Sequence, residues 1–190
     1  GAVSRHASRQ YVGPGADPAT SPLPATGCPV SAVSTDTATS WFLSHVATWS
    51  IIAIDSSTGE MVIASATCVG SAAFARFPAK GLMDVQAIVV PGVGIAAAQA
   101  AVDGTRKNQM LIYDELRKGT APEDILQMLS ADPAFQSRQF AILDGQGRTA
   151  AFSGERNGPV SLHRVGAIRT NSRRIYYAVQ GNILKSEAGV

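Results

Sequence analysis

Downstream of residue 47 the chain contains one histidine, His163. A Ser–His–Asp triad would have to use it, and no Gly-x-Ser-x-Gly elbow is present to hold the serine. The stretch PGVGIA at 91–96 is a fragment of a dinucleotide-binding glycine pattern that lacks the third glycine at the right spacing, and no Gly-Lys-Ser/Thr phosphate loop occurs. The two cysteines, Cys28 and Cys68, form no Cys-x-x-Cys pair and no cluster with histidine, so neither a metal nor a cofactor is expected. One nucleophile needs no histidine. A Thr, Ser or Cys at a chain N-terminus can use its own α-amine as the base, a group with a pKa of about 8. Amine and hydroxyl share one Cα, so covalent geometry keeps them close. The amine is a base only when free, because a peptide nitrogen's lone pair is delocalised. Thr48 heads the apolar run TWSIIAID and has the required layout, provided the chain is cut after Ala47. The plainer reading is a threonine that opens a strand, as β-branched residues often do.

The elements that must position such a residue follow from periodicity. TWSIIAID and EMVIASATCV are strand-like and joined by the turn signal Ser56-Ser57-Thr58-Gly59, which predicts an antiparallel hairpin. VQAIVVPGVGIAAAQAAV predicts another strand, a Pro-Gly break and a closely packing small-residue segment. Asp103 is placed to cap a helix that runs to Lys118 and ends at Gly119, with Ile112 and Leu116 on one face. Thr120-Ala121-Pro122-Glu123 has the pattern of a capping box before a second helix with Ile125 and Leu129 inward. RQFAILD and RTAAFSG flank Gly145-Gln146-Gly147 as a second hairpin. Ile175 to Gln180 reads as a last strand ending at Gly181-Asn182. Strands, then helices, then strands imply an α+β layered architecture rather than βαβ units.

The 190 residues suit one domain with a sizeable core, and 45% of them are apolar. Residues 1–47 hold twelve Ser/Thr and five of the ten prolines without periodicity, as a flexible tail or propeptide would; the domain is expected at 48–190. WFL at 41–43 is too short for a signal-peptide core. That favours a cytoplasmic location, with secretion as the alternative. The formal charge of +2 is too balanced for a nucleic-acid surface, and no apolar run reaches membrane-spanning length.

Several stretches together resemble a family catalogued as domain of unknown function 1028, placed among the N-terminal nucleophile (Ntn) hydrolase-like folds. They are ATWSIIAIDSSTGE at 47–60, IASATC at 63–68, GVGIAAAQA at 92–100, ADPAFQSRQFAILDGQGRTAAFSG at 131–154, HRVG at 163–166 and YAVQGNIL at 177–184. The resemblance implies a four-layer αββα sandwich of two antiparallel sheets. By analogy with the superfamily it also implies hydrolysis of an amide-type C–N bond in a small molecule. Similar proteins begin their first strand with Thr at the place of Thr48. They also continue well past QGNIL, so this chain is expected to lack C-terminal elements, and the sheet edge or face so exposed to seek a partner, as a homo-oligomer.

The expected site residues follow, each with a plain structural alternative. Thr48 is the nucleophile. Asn182 is a donor to a developing oxyanion, or a turn residue. Ser50 lies two residues after Thr48 on the same strand face, near the amine or simply in the core. Cys68 lies near Thr48 across the hairpin, as a substrate contact or an inert thiol. Gln99 is a substrate contact or a backbone clamp. Arg138 and Gln139 point into the cleft or, for the arginine, to the surface. Lys80 stands 32 residues after Thr48, like the lysine of proteasome-type threonine hydrolases, but Ala64 occupies the place of that lysine's carboxylate partner. The functional expectation is an Ntn-type amidohydrolase; the alternative is a binding or self-assembly module without catalysis.

Overall fold

The computed structural model describes residues 47–70, 74 and 79–190; the segment read as a tail, Ala47 apart, and Cys28 lie outside them. Strands β1 (Thr48–Asp55) and β2 (Glu60–Thr67) form the first hairpin. Its turn is held by Asp55, whose Oδ1 accepts the Ser57 N–H at 2.9 Å, and closed by Gly59 at φ +75°. The same chemistry recurs between β5 (Arg138–Asp144) and β6 (Thr149–Ser153), where Asp144 Oδ1 accepts the N–H groups of Gln146 and Arg148 and Gly147 has φ +85°. An aspartate that bonds its own turn and a glycine free to take positive φ explain why both hairpins were legible.

A helix, α1 (Leu82–Gln86), precedes β3 (Ala87–Val90) and β4 (Gly94–Ala100). Val85 and Gln86, read from sequence as the start of a strand, close this helix instead. Asp84 Oδ2 accepts the Lys80 N–H at 2.8 Å and fixes the helix foot. Helix α2 (Lys107–Lys118) starts later than expected; Asp103 secures its entry by accepting from the N–H groups of Thr105 and Asn108. Gly119, at φ +82°, ends it. In α3 (Pro122–Leu129) the capping-box expectation fails. Pro122 takes the first helical position, so Ala121 is the cap and Glu123 falls one residue short of the box position. Thr120 Oγ1 donates back to Glu115 Oε2 at 2.7 Å. Strands β7 (Leu162–Arg169) and β8 (Arg174–Asn182) complete the chain. β7 was not expected, and β8 runs through Gly181 to Asn182 rather than stopping at Gln180.

Two four-stranded antiparallel sheets result, in the orders β2-β1-β8-β7 and β3-β4-β5-β6. They face each other across Ile52, Ile54, Ile95, Ala97, Ala141, Leu143 and Ala178. The outer face of the second sheet is covered by α2 and α3, through Ile112, Leu116, Ile125 and Leu129 packed on Ile88, Ala98, Phe140 and Ile142. β4 and β5 are therefore buried on both faces, and their GIAAA and FAIL segments read as continuous apolar runs. β2 alternates between exposed and half-buried, as a strand with one wet face does.

The outer face of the first sheet carries Trp49, Val62 and Ile168, which are 40%, 58% and 53% exposed. Among the described residues helices α2 and α3 serve the second sheet only, giving three layers: helices, sheet, sheet. No described helix is long and apolar enough to cross a membrane.

Two carboxylates brace the connections. Asp132 Oδ2 takes hydrogen bonds from Asn108 Nδ2 at 2.6 Å and Arg138 Nε at 2.8 Å. Burial opposes charge on Asp132 and Asp103, but hydrogen bonds from Asn108, Ala134 and Arg138 to the first and from Thr105, Asn108 and Lys107 to the second outweigh it, so both pKa values are lowered. A carboxyl whose folded pKa is lowered stabilises the fold above its unfolded pKa and ceases to do so as pH falls through the folded value. The urea midpoint should therefore fall steeply below about pH 4 as these carboxylates protonate. Asp132→Asn should lower the neutral-pH midpoint and flatten that acid limb.

Phe140 is 2% exposed, and Phe135 stacks between it and Phe152, with ring centroids 6.2 and 3.8 Å away. Phe140→Ala should cost about 3–5 kcal/mol in urea unfolding.

Candidate functional site

The register places the chemistry. In the first sheet Thr48 lies between Thr67 on β2 and Asn182 on β8; the next inward row is Ser65, Ser50 and Gln180, with His163 beside Gln180 on β7. In the second sheet Gln99, Gln139 and Ser153 form the facing row. The space between the sheets is thus apolar over most of its length and polar at the end where β1 begins.

Gln139 is the hub of that polar end and is fully buried. Its Oε1 accepts from Gln99 Nε2 at 2.7 Å and Asn182 Nδ2 at 3.0 Å. Its Nε2 donates toward Ser153 Oγ at 2.7 Å and the Gly181 carbonyl at 2.9 Å, with the Leu162 carbonyl and Ser161 Oγ also in reach. Donors surround one end of the amide and acceptors the other, which fixes its orientation. Gln99 Nε2 also reaches the Thr48 carbonyl at 3.4 Å, so Gln99 is a backbone clamp on the first residue of β1. Ser50 accepts from Gln180 Nε2 at 3.2 Å in a buried pair. Ser153 Oγ lies 3.0 Å from His163 Nδ1, and burial pushes the imidazole's pKa down, so it is neutral at pH 7.

Thr48 itself is half-buried, and its Oγ1 shares a hydrogen bond of 2.8 Å with Thr67 Oγ1. A cavity of about 330 Å³ opens beside it, walled by Thr67, Leu82, Val85, Gln86 and Val102 among others. Ala100, at the cavity wall, has φ +70°, a conformation that costs a residue with a Cβ about 1–2 kcal/mol. Among the described residues, no charged side chain lines this space.

Of the residues singled out from sequence, Thr48 borders the cavity, and Asn182, Gln99, Gln139 and Ser50 gather in the polar network behind it. Arg138 is elsewhere: it pairs with Asp132 and donates to the Ala101 carbonyl, bracing the cavity wall from outside. Cys68 is disulfide-bonded and offers no thiol; its N–H donates to the Ala47 carbonyl at 3.2 Å. Lys80 is exposed and does not line the cavity. Thr67, Gln86 and Gln180 were missed. Thr67 was within reach of the sequence: a four-residue turn between Asp55 and Glu60 sets Thr48 opposite Thr67, and Cys68 opposite Ala47. Among the described residues no group of three or more His, Cys, Asp or Glu is arranged to hold a metal ion.

None of the curated proteins matches the chain. Among solved structures, the crystal structure of protein SPO2555 from Silicibacter pomeroyi, a DUF1028 protein, matches with 26% identity and a TM-score of 0.55 over 75% of this chain. The chain spans 57% of that protein's length. A family model described as a family of unknown function, DUF1028, matches residues 48–190, the whole run from the first residue of β1 onward. By that match the chain belongs to the DUF1028 family.

Proposed function

We propose that this domain is an Ntn-type amidohydrolase whose nucleophile is Thr48, made N-terminal by cleavage of the Ala47–Thr48 bond. The observation that carries the reading is the placement of Thr48: first residue of a central strand, bordering the one end of the inter-sheet space that is polar, with a cavity beside its hydroxyl. Two antiparallel sheets face to face are compatible with the Ntn architecture. The four-layer αββα form would add helices over Trp49, Val62 and Ile168.

The freed amine takes the proton from Thr48 Oγ as the hydroxyl attacks the substrate carbonyl. It returns the proton to the departing nitrogen, and water then releases the acyl group by the same exchange in reverse. Thr67 Oγ1 holds the nucleophile's rotamer. Asn182 spends one Nδ2 hydrogen on Gln139 Oε1 and keeps the other for the oxyanion, a role that Gln139 supports by fixing the amide.

N-terminal sequencing of active protein should read Thr-Trp-Ser-Ile. Thr48→Ala should lower kcat/KM by about 10³-fold or more with an unchanged circular dichroism spectrum, whereas Thr48→Ser should retain turnover. Rates should rise with pH as the amine, of pKa about 8, loses its proton. Full-length protein that hydrolyses amides with residue 47 still attached would end this reading.

A second reading, a binding or self-assembly module, is favoured by the bare apolar face of the first sheet. It predicts concentration-dependent association in sedimentation that Val62→Lys with Ile168→Lys abolishes; a strict monomer at all concentrations would exclude self-assembly.

A further inference from the structure

Cys68 takes no part in the chemistry proposed above, yet it is disulfide-bonded. The sequence holds a single other cysteine, Cys28, which lies outside the described residues. The two stand on opposite sides of the Ala47–Thr48 bond. A link between them closes a loop across the proposed cut.

Cys68 sits at the rim of the cavity beside Thr48. It is half-buried, and its neighbours Thr67 and Val69 both line that space. Thr67 Oγ1 shares the 2.8 Å hydrogen bond with Thr48 Oγ1 and accepts the Val69 N–H at 3.2 Å. The Cys68 N–H donates to the Ala47 carbonyl at 3.2 Å. The residue that bears the sulfur thus also holds the carbonyl of the junction.

Cutting that junction turns the Ala47 carbonyl into a carboxylate and the Thr48 nitrogen into an amine. The carboxylate keeps the Cys68 N–H as a donor. It also gains a countercharge, because an amine with a pKa of about 8 is mostly protonated at pH 7. Such a product leaves the site only if it can diffuse away. Nineteen residues, 29–47, join Cys28 to that carboxylate. A tether of this kind holds its end at an effective concentration on the order of millimolar.

We propose that Cys28 is the partner of Cys68, and that their disulfide keeps residues 1–47 on the domain after the cut, where the Ala47 carboxylate competes with substrate until a thiol reductant opens the bond. The cut and the competition rest on the amidohydrolase reading; the pairing of the cysteines does not. Opening is thiol–disulfide exchange. The sulfurs of Cys28 and Cys68 gain two electrons and two protons, and one dithiol, or two monothiols, are oxidised to a disulfide. Cys68 is then a regulatory residue rather than a substrate contact.

The first measurement uses the full chain, equilibrated in a glutathione redox buffer and then unfolded. Iodoacetamide should modify neither cysteine before reduction and both after it. A protease that cuts after acidic residues cleaves between the cysteines at Asp36, Asp55 and Glu60, and should give one disulfide-linked pair of peptides carrying Cys28 and Cys68. Free thiols, or a link between the Cys68 residues of two chains, overturn the inference. The second measurement follows protein whose new N-terminus is Thr48. Its two pieces should elute together in denaturant and part on addition of dithiothreitol. Dithiothreitol, followed by removal of the freed segment, should lower KM for amide hydrolysis about fivefold or more and leave kcat unchanged. Cys28→Ser should show the low KM without reductant and ignore dithiothreitol. An unchanged KM in the reduced wild-type protein overturns the competition, whatever the variant does. Paired cysteines in a chain that is never cut ahead of Thr48 remove the amidohydrolase reading and the competition with it, and keep the pairing. Hydrolysis by cut protein with two free thiols does the reverse.

Discussion

One buried amide holds the two sheets in relation to each other where it matters. Gln139 belongs to the second sheet, yet it binds Asn182 and the Gly181 carbonyl of the first, while Gln99 reaches from beside it to the carbonyl of Thr48. Elsewhere the sheets meet through isoleucine, leucine and alanine, whose contacts are strong in sum but indifferent to direction. Hydrogen bonds are directional. Replacing hydrophobic contact by an amide network at one end fixes the offset between the sheets there, and with it the distance from β1 to the cavity wall formed by the end of β4.

Much of the local structure could be read from the chain. Both hairpins declared themselves through an aspartate and a glycine spaced to build a turn, and Ile112, Leu116, Ile125 and Leu129 marked the buried faces of both long helices. β5 was read to its boundaries because the run RQFAILD is buried on both faces. The failures have physical causes. β7 is an edge strand whose residues are mostly exposed, so LHRVGAIR shows no apolar alternation. Gly181 and Asn182 have turn composition, but pairing on both sides, with Trp49 and Thr48 on β1 and with Leu162 on β7, keeps them extended. Pro122 overrode a capping pattern that looked complete.

The site was half legible. Residue types flagged Thr48, Gln99, Gln139 and Asn182, and all four meet at the polar end of the sandwich. Their contacts were not legible, because they depend on which strand of one sheet lies over which strand of the other, a relation without local sequence signature. Cys68 shows the sensitivity: it follows Thr67 directly in sequence, but β2 ends at Thr67, and Cys68 lies opposite Ala47 rather than Thr48. Gln86 was hidden inside a stretch that read as a strand.

β1 is zipped along its whole length to β2 on one side and to β8 on the other, eight residue pairs with each. Its first residue is therefore anchored from both flanks and does not depend on whatever precedes it for its place. On the proposed chemistry, severing the backbone ahead of Thr48 would change charge at that point without loosening position. In deuterium exchange the amides of this strand should belong to the slowest class in the molecule, next to a terminus that in most proteins frays first.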